Sequence, residues 1–304
     1  MQNKNTPWQS YWKDTSFDTF GARFSDENPI AGVLAKEISS INFLNSTPQS
    51  LLDLGCGRGE HFRWLRHVFP SLEGKTLKIT GVDAAVPDTK IDANTQIYTD
   101  NFESLINTRR SQEAFDIVFA LFAAEYGNGR KLVRALNNVA KKSMDCLFLM
   151  HTPDSVISAK SKISLNFYEL LLDKATTTAL RILKKSHDIK AFEMYVLGKI
   201  NSIVNLNRPE LMEDMQLVVQ RLQQLFSAVD LRKKVAHAHA LIEYFEQLKM
   251  HVLRLEQQLK AAKNSDSLVD ELVKQNYEIK VDKCLQNQFG EVGRLLHFVL
   301  VPRI

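Results

Sequence analysis

The chain has 304 residues, of which 44% are hydrophobic and 24% charged, with a formal net charge of +4. This composition belongs to a globular protein of one large or two ordinary domains, and it lacks the basic block that marks a nucleic-acid tail. The mild charge permits an acidic partner without requiring one. Cys56, Cys146 and Cys284 are far apart and odd in number, and no C-x-x-C or H-E-x-x-H pattern offers a metal site. Free, buried thiols in a reducing, cytoplasmic compartment are therefore expected. The polar, aromatic N-terminus lacks the apolar core of a signal peptide, and no apolar run is long enough to span a membrane.

Between Trp8 and Asn28, the aromatics Trp8, Tyr11, Trp12, Phe17, Phe20 and Phe24 stand among polar residues, a density that suits a flap or helix docked on something apolar. Asn28-Pro29 opens a helix with Ile30, Val33, Leu34 and Ile38 on one face. The first strand, Ser50 to Leu54, leads into Leu51-Leu52-Asp53-Leu54-Gly55-Cys56-Gly57-Arg58-Gly59-Glu60. An apolar run, an acid and three alternating glycines read as a buried strand that stops at a tight turn where backbone can approach a ligand. A dinucleotide fingerprint, G-x-G-x-x-G, would place its third glycine on Glu60, so the spacing argues against it. A helix through His61, Phe62, Trp64, Leu65, Val68 and Phe69 follows and stops at Pro70.

The second strand, Leu77 to Val82, ends in Asp83, beside the first glycine loop. A carboxylate there can accept both ribose hydroxyls of an adenosyl ligand, or cap the next turn. Ala84 to Lys90 is too short and too Pro-broken for a full crossover helix. The third strand, Thr95 to Thr99, precedes Asp100-Asn101-Phe102, where Asp100 also suits the N-cap of a helix from Glu103. The fourth strand, Phe115 to Ala120, runs on through Leu121 so that Phe122, Glu125 and Tyr126 fall beyond its carboxyl end, in the ligand crevice of an open α/β sheet. Glu125 can take a proton, hold a cation or cap a helix. His151, after the fifth strand (Cys146 to Met150), faces the same crevice, suited to proton transfer near neutrality or to a structural hydrogen bond.

Asp53-Leu54-Gly55-Cys56-Gly57-Arg58-Gly59, Asp83 and the Phe115-Asp116-Ile117-Val118 strand resemble the motifs of the class I S-adenosylmethionine-dependent methyltransferases. The resemblance covers Ser50 to His151 well and Asp266 to Ile304 in outline. It implies a Rossmann-like, doubly wound α/β fold whose seven-stranded, mostly parallel sheet has an antiparallel last strand. It implies S-adenosylmethionine as cofactor, held by Asp53, Gly55, Cys56, Gly57, Gly59, Asp83, Asp100, Asn101, Phe102, Ala120 and Leu121. Glu125, Tyr126 and His151 are the candidate catalytic residues. The family's pre-motif segment often folds over the cofactor, so Tyr11 and Arg23, with Phe122, are substrate-side candidates; plain N-terminal packing is the alternative. The nucleic-acid methylation motifs N-P-P-Y and P-C are absent, which favours a small or medium organic acceptor. A macromolecular acceptor, nucleic acid or protein, and a non-catalytic cofactor-binding assembly protein are the other readings.

A helical stretch from about Ser155 to Ser265 interrupts the expected order between strands five and six. From Pro209 to Gly290 it contains no further Pro or Gly. Leu241, Phe245, Leu248, Val252, Leu255 and Leu259 form a coiled-coil-like heptad seam, and Met215, Val218, Leu222, Leu225 and Val229 a second in another phase. The break near Ser227 to Lys233 suggests an antiparallel helix pair. The stretch reads as a lid, a homodimerisation arm or a partner-docking surface, with Ile163 to Leu172 and Phe192 to Leu197 as candidate pocket wall. His239 and Glu243 share a helix face near His237, but two such ligands do not make a metal site. A last helix, Asp266 to Lys274, and a hairpin of Tyr277 to Leu285 with Arg294 to Pro302 close the sheet. The expected organisation is thus a flap over residues 1–45, a cofactor-binding core over 46–154, an insertion over 155–265 and a closing segment over 266–304.

Overall fold

The computed structural model describes residues 6–13, 28–69, 76–101, 115–140, 143–227, 234–275 and 277–301. Arg23, Phe102, Val229 and the aromatics Phe17, Phe20 and Phe24 lie outside them, as does the helix expected from Glu103. The chain divides into two compact units, residues 1–158 with 258–304, and residues 159–257. Among the described residues no helix is long and apolar enough to cross a membrane.

The first unit is built on one mixed sheet. Its strands are β1 (Ser50–Leu54), β2 (Lys78–Asp83), β3 (Thr89–Asp92), β4 (Thr95–Thr99), β5 (Ile117–Leu121), β6 (Met144–Met150), β7 (Glu278–Asn287) and β8 (Gly290–Leu300), in the spatial order β3-β4-β2-β1-β5-β6-β8-β7. β1, β2, β4, β5 and β6 pair in parallel, whereas β8 runs antiparallel to both β6 and β7. The closing hairpin expected from the sequence is there. Two expectations need correction. Among the described residues the sheet has eight strands rather than seven, because the stretch after Asp83, too short for a crossover helix as expected, leads into β3, which folds back on β4 as an antiparallel edge strand. The helical insertion consequently lies between β6 and β7 in chain order rather than between a fifth and a sixth strand.

Period-two alternation gives the sheet two apolar faces. Leu52, Leu54, Val118, Ala120, Cys146, Phe148, Leu296 and Phe298 point to one face. That face is covered by α4 (Gly129–Val139) through Leu132, Val133 and Leu136, and by α10 (Ser265–Lys274) through Leu268 and Leu272. Leu51, Ile79, Ile117, Phe119, Leu147 and Leu295 point to the other, covered by α2 (Pro29–Ser40) and α3 (Phe62–Val68) through Leu34, Ile38, Phe62, Trp64 and Leu65. α2 starts where its sequence says it should: the Asn28 side chain accepts from the amides of Ile30 and Ala31, and Pro29 stands at the first turn.

The second unit is helical. It draws on α5 (Val156–Leu171), α6 (Lys174–Ser186), α7 (Ile189–Val204), α8 (Met212–Ser227) and α9 (Lys234–Ala262). Phe167, Tyr168, Leu171, Phe192 and Val196, the candidate pocket-wall residues, are buried in a common helical core with Met215, Val218, Leu222, Leu241, Phe245, Leu248 and Leu255. These seam residues therefore face the interior of their own unit. Ser164 Oγ donates to Asp214 Oδ2 at 2.8 Å inside this core. Burial, helped by the Arg254 charge, lowers His251 to about 3.

Asp116 anchors the start of β1. Its carboxylate accepts from the amides of Gln49 and Ser50 at 2.8 and 3.0 Å, from the Ser50 hydroxyl at 3.1 Å and from Asn45 Nδ2 at 3.2 Å. Asp116→Ala removes the partner of two backbone donors, and chemical denaturation should show a loss of about 2–4 kcal/mol; a loss below about 1 kcal/mol would contradict this anchoring role.

Candidate active site

The chain passes from β1 to β2 and β4 on one side, then returns to β5 and β6 on the other, so the strand order reverses between β1 and β5. Ligands of open α/β sheets bind outside the carboxyl ends of the strands at such a reversal. Here that place is formed by the loop Gly55 to Glu60 after β1, by Asp83 at the end of β2, and by Phe122 to Tyr126 after β5.

Gly55, Gly57 and Gly59 all have positive φ, at 66°, 54° and 73°. A Cβ on Gly55 would lie 2.4 Å from Ala123 Cβ, so this glycine lets the β1 loop touch the β5 loop. A Cβ on Gly57 would meet the Trp12 ring and one on Gly59 the Phe62 ring, each at 2.4 Å. Four of the loop amides are spent within the protein. Gly55 and Cys56 donate to the Val82 carbonyl at 2.7 and 3.2 Å, Gly59 donates to Cys56 O at 3.0 Å, and Gly57 donates to Asp83 Oδ2 at 2.9 Å. These four are unavailable to an anion, which a phosphate cradle binds through free amides.

What the crevice does present is carboxylate. Asp83 accepts from Gly57 through one oxygen and from Ala85 N at 2.7 Å through the other, with the Val86 amide also acting on the carboxylate. Asp53 is fully buried, its Oδ2 lies 2.6 Å from His61 Nε2, and its Oδ1 has no partner. Burial pushes Asp53 above the ordinary carboxylate range, and the His61 contact pulls it part of the way back. Burial likewise raises Asp83, against the Ala85 and Gly57 amides. Asp100 receives the amide of Asn101 at 2.8 Å at the end of β4.

On the β5 side, Phe122 is a non-glycine residue at φ 53°, in a region where such residues sit under strain and cluster at functional positions. Its ring lies 4.4 Å from that of His151. Glu125, 1% exposed on a short 3-10 turn (Ala124–Tyr126), accepts the His151 amide at 2.8 Å through Oε1, which also lies 2.6 Å from His151 Nδ1. Glu125 Oε2 is buried without a partner. On the far side of the imidazole, His151 Nε2 lies 3.1 Å from Gln258 Nε2. α1 (Pro7–Lys13) joins the two sides: Trp12 sits on Gly57, while Trp8 meets the Tyr126 ring edge-on at 5.4 Å.

The candidate residues thus fall into groups. Glu125 and His151 are brought into direct contact, with Tyr126 and Phe122 beside them. Asp53, Gly55, Gly57, Gly59 and Asp83 gather at the β1–β2 end, and Asp100 and Asn101 at the end of β4. The Cys56 side chain turns away: its sulfur lies against Gly81 in the core, and burial, with Asp53 and Asp83 nearby, holds the thiol well above its ordinary value. Ala120 and Leu121 are buried in the two core faces, so a ligand contact from them is left to their backbone. Tyr11 is buried between Trp8 and Trp12, with ring centroids at 5.8 and 5.0 Å. Sequence reasoning overlooked Trp8, Trp12, His61 and Gln258. His61 was legible as an apolar-face residue only, and no local signal pointed to Gln258.

No family model and no curated protein matches the sequence. Among solved structures, the plantazolicin methyltransferase BamL, in complex with a triazolic desmethylPZN analog and SAH, aligns over 98% of this chain and 96% of its own, at 14% identity and TM-score 0.41. A SAM-dependent methyltransferase from Archaeoglobus fulgidus aligns over 44% of this chain and 60% of its own, at 15% identity and TM-score 0.31. Phosphoethanolamine N-methyltransferase 1 from Haemonchus contortus aligns over 48% and 31%, at 15% identity and TM-score 0.33. These structural neighbours are methyltransferases.

Three measurements check these readings of the glycines and of Asp83. Gly55→Ala combines a left-handed backbone with a 2.4 Å clash and should lower stability by about 2–4 kcal/mol. Gly198→Ala, in α7 with nothing within 4 Å of the new methyl, should raise it by about 0.5–1 kcal/mol. For Asp83, the folded state holds the proton more tightly than the unfolded chain, whose value is near 3.8. Native stability should therefore fall relative to Asp83→Asn as pH rises from 3.8 through the raised folded value, and the gap should be level above it. A gap that narrows over that interval would contradict the burial of this charge.

Proposed function

We propose that the chain binds S-adenosylmethionine at the β1–β5 reversal and transfers its methyl group to an oxygen or nitrogen of a small or medium organic acceptor. The observation that carries this reading is the glycine loop whose Gly55, Cys56, Gly57 and Gly59 amides are internally paired and whose neighbours are carboxylates. A pyrophosphate needs free amides, whereas a ligand bearing an ammonium, a sulfonium and two ribose hydroxyls needs acceptors. The orphaned Asp53 Oδ1 suits the ammonium. The Asp83 carboxylate suits the ribose hydroxyls, and Asp100 with Asn101 the adenine edge. Phe102 falls outside the described residues and keeps its role beside the ring as part of this proposal.

When bound, the cofactor supplies an electrophilic methyl carbon on a sulfonium that departs as a neutral thioether. The protein's share is orientation, exclusion of water and proton transfer. Phe122, Tyr126 and Trp8 offer an aromatic wall that suits an organic acceptor. Glu125 holds the His151 ring through Nδ1, which leaves Nε2 as the basic atom for an acceptor proton. Tyr126 is the second group within reach of that ring.

Calorimetry with S-adenosylmethionine should give saturable binding that Asp83→Ala weakens at least about tenfold, while His151→Ala keeps binding and loses about 10²–10⁴ in turnover. Size fractionation of a cell extract incubated with methyl-labelled cofactor should place the label among small molecules. Absence of binding by the native chain would sink the cofactor reading. Label in protein or nucleic acid would replace the acceptor class, and cofactor binding with no label transferred would favour a non-catalytic role.

A further inference from the structure

We propose that Gln258 is a positioning residue that holds His151 in its Nδ1–H form and covers the basic Nε2 until an acceptor hydroxyl takes the amide's place. The proposal rests on the methyl-transfer reading for its chemistry and on side-chain geometry for its structure. Gln258 belongs to the last turns of α9, which fall within the first unit, and is only 5% exposed. Its amide nitrogen lies 3.1 Å from His151 Nε2, and the opposite ring nitrogen lies 2.6 Å from Glu125 Oε1.

A carboxylate oxygen that close to Nδ1 favours the hydrogen on Nδ1, and the Gln258 amide at the opposite nitrogen adds to that preference. The neutral ring then has its lone pair on Nε2, and the Gln258 amide donates to that lone pair. Donor and acceptor match along the whole chain, Gln258 N–H to Nε2 and Nδ1–H to Glu125. The amide matters because of what it can do next. Once the acceptor's O–H bond has broken and its proton sits on Nε2, the ring is a donor at both nitrogens. A glutamine can then present its carbonyl oxygen to that new N–H by turning over, so it serves both charge states of the base. Glutamate would favour the imidazolium, and leucine would leave Nε2 without a protein partner in a site that shields the ring to 6% exposure. The charged and titratable groups packed around the ring are Glu125 and Tyr126, with Glu291 of β8 taking the hydroxyl of the adjacent Thr152.

The test uses the full chain and nitrogen-15 ring spectra, with the His151 signals assigned among the eight histidines by their loss in His151→Gln. The native ring should show the Nδ1–H form at neutral pH. In Gln258→Glu the imidazolium should persist to higher pH by about one unit or more, because an added carboxylate favours the charged ring. The acidic limb of the turnover–pH profile should move with it while the KM for the cofactor stays constant. In Gln258→Leu the Nδ1–H population should fall and turnover should drop with no upward movement of the profile. If Gln258→Glu does not fold, Gln258→Leu carries the test alone. An unchanged tautomer in Gln258→Leu, or an unchanged ring titration in a folded Gln258→Glu, would overturn the proposal. Since the ring spectra need neither cofactor nor turnover, failure to bind S-adenosylmethionine would count against the methyl-transfer reading alone.

Discussion

The Asp83 carboxylate, accepting the amide of Gly57 at 2.9 Å and that of Ala85 at 2.7 Å, is the contact on which the crevice depends. It ties the end of β2 to the loop after β1 and stops that loop from turning its amides outward. With Val82 O taking the amides of Gly55 and Cys56, the glycine turn is closed from behind. The ligand side is then left to carboxylates and carbonyls. A loop of similar composition with its amides free would attract anions; four of the amides here are unavailable to them. The cost is a buried negative charge, and the raised position of Asp83 is its signature.

The same chemistry, a buried carboxylate against a histidine, occurs three times among the described residues. Asp53 and His61 lie 2.6 Å apart beside the glycine loop, Glu125 and His151 lie 2.6 Å apart beyond β5, and Asp145 and His297 lie 2.8 Å apart near the amino end of β6. Position in the sheet separates them. Asp145 is completed by the amide of Leu44 at 2.8 Å and sits at the end of the strands away from the crevice, so it reads as structural. Asp53 and Glu125 stand at the carboxyl ends, and each keeps one buried oxygen without a partner. Buried polar atoms are nearly always paired, and exceptions tend to mark sites with work to do. Two such oxygens on either side of a strand reversal are what a polyfunctional ligand would complete.

Much of the fold was legible because its cause is local. Leu51-Leu52-Asp53-Leu54 before three glycines, Phe115 to Ala120, Cys146 to Met150 and the hairpin around Phe289-Gly290 announce strands through apolar runs closed by turn residues. β3 was not legible, since Thr89 to Asp92 carries little apolar character and exists as a strand because β4 offers it a free edge. The heptad seams of α8 and α9 predicted helices well, but periodicity cannot say which surface meets the seam. Burial assigns it to the unit's own core.

Sequence alone determined the glycine turn, the acids at the ends of β1 and β2, and the presence of a carboxylate and a histidine beyond β5 and β6, because each depends on residues within one strand-and-turn unit. Only the tertiary structure decided that Glu125 and His151 are one hydrogen-bonded pair across 26 positions, and that Gln258 completes it from 107 positions away. It also decided that Trp12 sits over Gly57 and that the amides of Gly55, Cys56, Gly57 and Gly59 are spent. Hydrogen bonds of this kind depend on the register of parallel strands and on where α9 re-enters the first unit. Neither leaves a period or a spacing in the chain.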